Sequence, residues 1–236
     1  IYHKDIAEKA LHSGVHILIE KPLAQNKKVA KEILDLANDA GLVLAVGHVE
    51  RHNPAIAYVK EKISSGEWGS IISISSKRMS SDPKRIIDVG VMFDLGVHDI
   101  DIIQYLVDSD VQRIFSAGHI RSQGDVEDHV LVVMEFVNDT IANCEFSWRS
   151  PEKIRELTII CEFSYVSVNY MNQTVSIRNS ELTDSGENII QIKKEEPLKL
   201  ELLDFLSSIE QKRKPLVTGA EAVKVIDIAE SARNSL

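Results

Sequence analysis

Asp94-Leu-Gly-Val-His98-Asp-Ile-Asp101 sets a carboxylate and an imidazole four residues apart, with a second acid three residues further on. On a helix, Asp94 and His98 share a face one turn apart, and Asp101 lies near the same stripe. Such a trio can move a proton, orient a hydroxyl or bind a metal ion. In a purely structural role, Asp94 would complement the positive end of a helix and Asp101 would pair with a surface cation.

Two further clusters follow apolar runs. Glu20-Lys21-Pro22 comes directly after Val15-His-Ile-Leu-Ile19, at the kind of strand end where open α/β sheets bind ligands. A lysine there can polarise a hydroxyl or, once desolvated, exchange a proton, and the cis form is open to Pro22. Gly47-His48-Val-Glu50-Arg51-His-Asn53-Pro54 follows the second run, Leu42–Val46. Arg51 and Asn53 suit phosphate or sugar hydroxyls. The plainer alternatives are a salt bridge for Arg51 and a helix N-cap for Asn53, with Pro54 in the first helical position. The remaining histidines (His3, His12, His16, His52, His119 and His129) join His48 in showing no metal-ligand spacing, so no metal site is expected.

The elements that must position these groups are legible from periodicity. A helix over 5–13 stops at Gly14, a strand covers 15–19, and Asn26 caps a helix to Ala40 with Val29, Ile33, Leu34, Leu36 and Ala37 inward. Gly41 ends that helix and a second apolar strand covers 42–46. Alternating helices and fully apolar strands predict a parallel α/β sheet. Beyond Pro54 the pattern predicts a helix over 55–64 ending at Gly66, a strand near 70–79 and a polar loop around Ser80–Arg85. The Asp94–His98 helix then runs to about Val107, held by Val97, Ile100, Ile102, Ile103 and Leu106. Strands of alternating character follow at 111–120, 129–137, 140–149, 154–162, 165–170, 174–178 and 188–193, with turns at Asn138-Asp139 and Met171-Asn172-Gln173. Helices over 198–212 and 219–234, the second opened by Thr218, close the chain. The expected organisation is an α/β portion over 1–48 and an α+β domain over 49–236 with a large, mostly antiparallel sheet.

A formal net charge of -9 over 236 residues leaves no basic stripe to neutralise phosphates, so nucleic acid is not an expected partner. Lys27-Lys28 and Lys212-Arg213-Lys214 read as solvated helix ends. Cys144 and Cys161 are too few for a disulfide framework or a zinc site and read as reduced core residues. No apolar run reaches the ~18 residues of a membrane span and no signal peptide is present, so a cytoplasmic protein without a membrane partner is expected.

Lys-Pro after one strand, Gly-His…Arg-x-Asn-Pro after the next, then the glycine-containing Asp-x-x-x-His opening together resemble the Gfo/Idh/MocA family of NAD(P)-dependent oxidoreductases. The wording is closest to its sugar-nucleotide branch. The likeness runs over essentially the whole chain, to the closing Thr-Gly-Ala-Glu-Ala helix. It implies a hydride transfer between a sugar or sugar-nucleotide hydroxyl and NAD or NADP. Lys21, Asp94 and His98 would be catalytic, with His98 the general acid/base and Asp94 orienting the substrate hydroxyl. Glu20, Lys21, Pro22 and His48 would face the cofactor, and Arg51, Asn53 and Asp94 the substrate. A homo-oligomer through the sheet domain is expected.

Two departures stand out. His52 occupies a position where the family more often has a bulky aromatic. No Gly-x-Gly-x-x-Gly follows a strand anywhere, and that turn is what cradles a pyrophosphate. The expectation is therefore a truncated Rossmann-like portion over 1–48, with a non-catalytic remnant for sugar-nucleotide binding or oligomerisation as the alternative function.

Overall fold

A computed structural model of the chain describes residues 3–83, 89–121, 126–179 and 188–236. Helix α1 (His3–His12) buries Ala7 and Leu11. It is followed by Gly14 at φ +74°, a conformation that glycine adopts without a Cβ penalty. Next come β1 (Ile17–Glu20), α2 (Lys27–Asp39) and β2 (Leu44–Gly47). Asn26 caps α2, its side-chain oxygen accepting from the Val29 amide at 2.9 Å. β1 and β2 pair parallel, from Ile17↔Leu44 to Glu20↔Gly47, so both strands present their carboxyl ends at one edge. The parallel arrangement expected of two apolar strands holds. β2 is buried throughout while β1 is only half-buried. The second strand gains cover because Ala45 bridges Thr218 and the Val46 amide donates to Val217 O at 3.3 Å.

A 3-10 turn over Val49–His52 leads into α3 (Pro54–Ser64), with Asn53 as its cap and Pro54 in its first turn. Strand β3 (Ile71–Ser81) extends two residues past its expected end. The polar loop expected around Ser80–Arg85 begins after it, and residues 84–85 lie outside the described residues. Met92–Gly96 then forms a π turn that runs directly into α4 (Val97–Val107). Seven strands follow: β4 (Val111–Ile120), β5 (Glu127–Phe136), β6 (Ile141–Ser147), β7 (Arg149–Cys161), β8 (Ser164–Asn169), β9 (Thr174–Asn179) and β10 (Asn188–Ile190). Helices α5 (Pro197–Glu210) and α6 (Gly219–Asn234) end the chain. Thr218 and Glu221 cap α6 reciprocally in a capping box.

Strands β3–β10 form one eight-stranded sheet in the order β10-β9-β8-β7-β3-β6-β5-β4. Every neighbouring pair is antiparallel except β3 with β6. The sheet is therefore mostly antiparallel, as expected, but it is not a plain meander, since β3 sits between β6 and β7. Its inner face, with Ile74, Val130, Val132, Phe146, Leu157 and Ile159 all buried, packs beneath the helices. Val97, Ile100, Ile102, Ile103 and Leu106 of α4 are at most 1% exposed. Each such aliphatic side chain stabilises the fold by ~1.5–3 kcal/mol. That burial fixes the helix that carries Asp94 and His98. Among the described residues no helix is long and apolar enough to cross a membrane.

Candidate active site

Lys21 leaves the end of β1 through a cis Lys21–Pro22 bond, and Leu23 and Ala24 beyond it are buried. Its Nζ donates to the main-chain oxygen of Asp94 at 2.5 Å and lies 3.8 Å from the Asp94 Oδ1. Burial lowers the lysine pKa, with the Asp94 carboxylate opposing that shift. The other oxygen of Asp94, Oδ2, accepts from the indole Nε1 of Trp148 at 3.1 Å. Asp94 is thus held from both sides and still partly open, at 22% side-chain exposure.

The π turn that carries Asp94 has identifiable supports. Glu127 Oε1 accepts from the Met92 amide at 3.2 Å, a carboxylate at the positive end of the following helix. Gly96 allows close approach to the sheet: a Cβ there would lie 2.9 Å from the Phe146 ring and 3.2 Å from the Met92 sulfur. A π turn adds a residue to the helical register and is often found at functional sites. The sequence-based picture of Asp94 and His98 on one regular α-helix is corrected accordingly: Asp94 belongs to the π turn and His98 to the first turn of α4.

His98 is partly exposed, but its Nδ1 is buried with no hydrogen-bond partner among the described residues. Burial holds its pKa well below the ordinary imidazole value, and the cations Lys21, Arg78 and Arg155 push it the same way, with His48 adding to the shift. The ring is therefore neutral at neutral pH. His48 follows β2 and is 2% exposed, its pKa also lowered, first by burial. Among the described residues its Nδ1 has no hydrogen-bond partner, and it lies 3.9 Å from Asp101 Oδ2.

Arg51 and Asn53, expected to face the substrate, have their polar atoms engaged inside the protein. Arg51 grips both oxygens of Asp101, Nε to Oδ2 at 2.9 Å and Nη2 to Oδ1 at 2.7 Å. Its Nη1 donates to Glu221 Oε1 at 2.5 Å, and the guanidinium lies 4.7 Å from the Tyr105 ring centre. Asn53 caps α3 by accepting from the Ala55 amide at 3.1 Å and donates to Tyr170 O at 3.1 Å. Both residues are 2% exposed or less, so their polar atoms brace the segment after β2, and Arg51 meets solvent only at the back of a cleft beside Lys60, Tyr105 and Glu221. Asp101 departs from expectation as well: its cation is the buried Arg51, because its side of α4 faces the interior.

The residues missing from the sequence reading lie on strands. Arg78 of β3 is 1% exposed and donates to Asp99 Oδ1 through Nε at 3.1 Å and Nη2 at 2.8 Å, and to Glu50 Oε1 at 3.2 Å. Arg155 of β7 stands directly opposite it in the register, with Nη1 3.5 Å from the same Glu50 oxygen. Two arginines facing each other across a sheet are unfavourable unless a carboxylate lies between them. Glu50 supplies it. Asp99 adjoins His98 in sequence, so this ion cluster ties the imidazole's helix to the sheet.

The chain has the fold of several solved oxidoreductases. It superimposes over 100% of its length on UDP-N-acetylglucosamine 3-dehydrogenase from Acidithiobacillus ferrooxidans with a TM-score of 0.91 and 28% identity, covering 75% of that chain. A levoglucosan dehydrogenase in complex with NADH and levoglucosan shares the fold at a TM-score of 0.89 and 22% identity, over 99% of this chain and 75% of that one. In sequence, the Acidithiobacillus enzyme is 28% identical over 98% of this chain and 74% of its own length. A scyllo-inositol 2-dehydrogenase (NAD(+)) from Bacillus subtilis is 29% identical over 99% of this chain and 72% of its own length.

Two family models also match: the NAD-binding Rossmann fold of the oxidoreductase family over residues 2–48, and the GFO/IDH/MocA C-terminal domain over 56–165. The chain belongs to the GFO/IDH/MocA family of NAD-binding oxidoreductases.

Residues at the strand ends suit the nicotinamide end of such a cofactor. Gly47 lets the Glu20 carboxylate lie against the end of β2, where a Cβ would meet its Oε2 at 3.0 Å, and among the described residues the buried His48 and His98 Nδ1 atoms have no hydrogen-bond partner. The pyrophosphate-cradling glycine turn is not within these 236 residues.

Proposed function

We propose that Lys21, Asp94 and His98 are the substrate-side catalytic residues of a dehydrogenase that oxidises a hydroxyl of a sugar or sugar nucleotide. The carrying observation is the meeting of the end of β1 with the π turn, where Lys21 Nζ lies 2.5 Å from Asp94 O, with His98 in the adjoining first turn of α4 within reach of the lysine's charge. Glu20, Lys21, Pro22 and His48 would border the nicotinamide of NAD or NADP, which when bound supplies the hydride acceptor. Asp94 accepts a hydrogen bond from the substrate hydroxyl and fixes its direction. His98, neutral because it is buried beside cations, takes the hydroxyl proton as the carbonyl forms. Lys21 neutralises charge developing on that oxygen.

The dinucleotide-binding portion is assigned to residues 1–48 and the substrate and assembly domain to 49–236. A homo-oligomer through the outer sheet face is part of the reading. Phe115, Leu131, Val133, Ile141, Ile160 and Tyr165 stand 38–53% exposed there, and exposed apolar side chains gathered on one sheet face suit a partner surface. Light scattering on Leu131→Lys would show dissociation. A cytoplasmic location fits the two free, buried cysteines, whose thiols burial pushes up to about 12 for Cys144 and about 11 for Cys161.

The test is turnover by the whole protein with UDP-N-acetylglucosamine and scyllo-inositol. His98→Ala should reduce kcat by ~10²-fold or more and leave NADH affinity unchanged. Near-native turnover in that variant would remove His98 from the chemistry, and sugar-nucleotide binding with no redox activity would favour a non-catalytic module.

A further inference from the structure

Trp148 connects the Asp94 carboxylate to a second cluster that the proposed chemistry leaves unused. Its indole Nε1 donates to Asp94 Oδ2 at 3.1 Å, and the Arg121 guanidinium lies 4.9 Å from its ring centre. Arg121 in turn donates through Nη2 to Asp82 Oδ1 at 2.6 Å, with its Nε 3.7 Å from Asp128 Oδ2. Asp128, near the start of β5, is 1% exposed, yet it gathers two more basic side chains. Arg149 Nε donates to its Oδ2 at 2.6 Å, and His119 Nδ1 lies 2.8 Å from its Oδ1.

The arrangement is asymmetric. The carboxylate that organises the cluster is inside, while the Arg149 and His119 side chains are 61% and 60% exposed. Among the described residues Arg149 engages Asp128 through Nε, and its terminal nitrogens make no hydrogen bond. A guanidinium fixed through Nε with its other donors open is suited to grip two oxygens of one oxyanion. A lone surface arginine would first have to be ordered for that task, whereas Asp128 and the Trp148 ring already hold this pair. The cluster also lies one indole away from the carboxylate proposed to meet the reacting hydroxyl.

We propose that Arg121, Arg149 and His119, held by Asp128, form an oxyanion subsite for the diphosphate of a nucleoside-diphosphate sugar whose sugar ring lies against Asp94. This rests on the sugar or sugar-nucleotide reading of the Lys21–Asp94–His98 site and narrows it to the nucleotide-linked substrates. A neutral cyclitol or free sugar carries no group that calls for this cluster.

The test uses the whole protein, with UDP as the probe for calorimetry, UDP-N-acetylglucosamine and scyllo-inositol for steady-state kinetics, and NADH binding followed by fluorescence. Arg149→Gln should weaken UDP binding and raise KM for UDP-N-acetylglucosamine about tenfold, leaving kcat, NADH affinity and scyllo-inositol kinetics near native. Arg149→Lys should recover part of the loss, and the salt dependence of UDP binding should flatten in Arg149→Gln. In Arg149→Gln the buried Asp128 keeps His119 and Arg121 as partners, and native NADH affinity reports that the fold is intact. Unchanged UDP affinity in both Arg149→Gln and Arg121→Gln would overturn the subsite. So would a native enzyme that oxidises scyllo-inositol but does not bind UDP, and in that case the dehydrogenase reading stands. UDP binding that depends on Arg149 without oxidation of any sugar would instead support the subsite and sink the dehydrogenase reading.

Discussion

Lys21 and Asp94, 73 residues apart in the chain, meet through a main-chain oxygen at 2.5 Å and a carboxylate oxygen at 3.8 Å. The shorter contact uses the backbone of the π turn, so the lysine is positioned by the shape of that turn as well as by charge. The Asp94 carboxylate is then steadied from the opposite side by Trp148.

Trp148→Phe removes the indole donor while keeping an aromatic ring of related shape. A hydrogen bond to a charged group contributes ~1.5–3 kcal/mol, so kcat should fall about tenfold or more, with NADH affinity unchanged. Stopped-flow hydride transfer measures this directly, and an unaltered rate would show that Asp94 needs no such support.

Arg78→Met leaves Asp99 and Glu50 buried without their shared cation. Breaking a buried ion pair from one side costs ~3–5 kcal/mol, so urea unfolding should show a loss of that order. Adding Asp99→Leu should restore part of it, because the stranded charge goes too. A double variant no better than the single one would contradict this account.

Glu201 of α5 is 3% exposed and its Oε1 has no partner among the described residues. Burial, with Glu20 adding repulsion, pushes its pKa up to about 7. A folded value above the unfolded one means that the carboxyl favours the fold in its protonated form and costs stability as pH rises towards and past 7. Glu201→Gln should therefore raise Tm above pH 7 by about 2–4 °C, equivalent to roughly 1 kcal/mol in a chain of this size. Below pH 4.5 the variant should show no advantage, and calorimetry at pH 4 and 8 separates the two regimes.

Acid should act through the imidazoles. His48, His52 and His98 all have pKa values lowered first by burial, so below pH ~6.5 the unfolded chain binds protons that the folded chain refuses. Stability is then lost on acidification, by up to ~1.4 kcal/mol per pH unit for each imidazole that stays neutral. Tm recorded from pH 7.5 to 5.5 should fall, and less steeply in His98→Gln. An equal slope in that variant would mean His98 titrates normally.

Gly96→Ala tests the close approach of the π turn to the sheet. Phe146 is fully buried and has nowhere to move, so the added methyl should cost ~1–3 kcal/mol. Activity should fall with it, because Asp94 rides on the same turn.

Local chemistry was readable from the sequence wherever chain neighbours carry it. Asn26, Asn53 and Thr218 cap the helices that their positions announce, and the strands from Val111 onward follow their alternation. Lys21, Asp94 and His98 stand out because each sits in a short, distinctive segment. Arg78 and Arg155 did not stand out, since their meeting depends on pairing β3 with β7 across more than 70 residues and on β3 entering the middle of the sheet. One signal was available: Arg78 continues the inward series Ile74, Ser76, and a cation on an apolar face requires a buried acid. For Arg51 the spacing is equally suited to a ligand and to a strut. Only Asp101 and Glu221, from distant helices, decide between them.

Three successive polar positions of α4 are keyed into three different surroundings. His98 lies within the field of Lys21, Asp99 turns to Arg78 of β3, and Asp101 to Arg51 beside β2. Each residue of a helix advances by about 100°, so rotating α4 by one position would break both ion pairs at once. The helix is locked about its own axis. Change in substrate preference is thereby steered away from it and towards Arg121, just past the end of β4, and Arg149 of β7, which stand outside the lock and can be exchanged without unseating the imidazole.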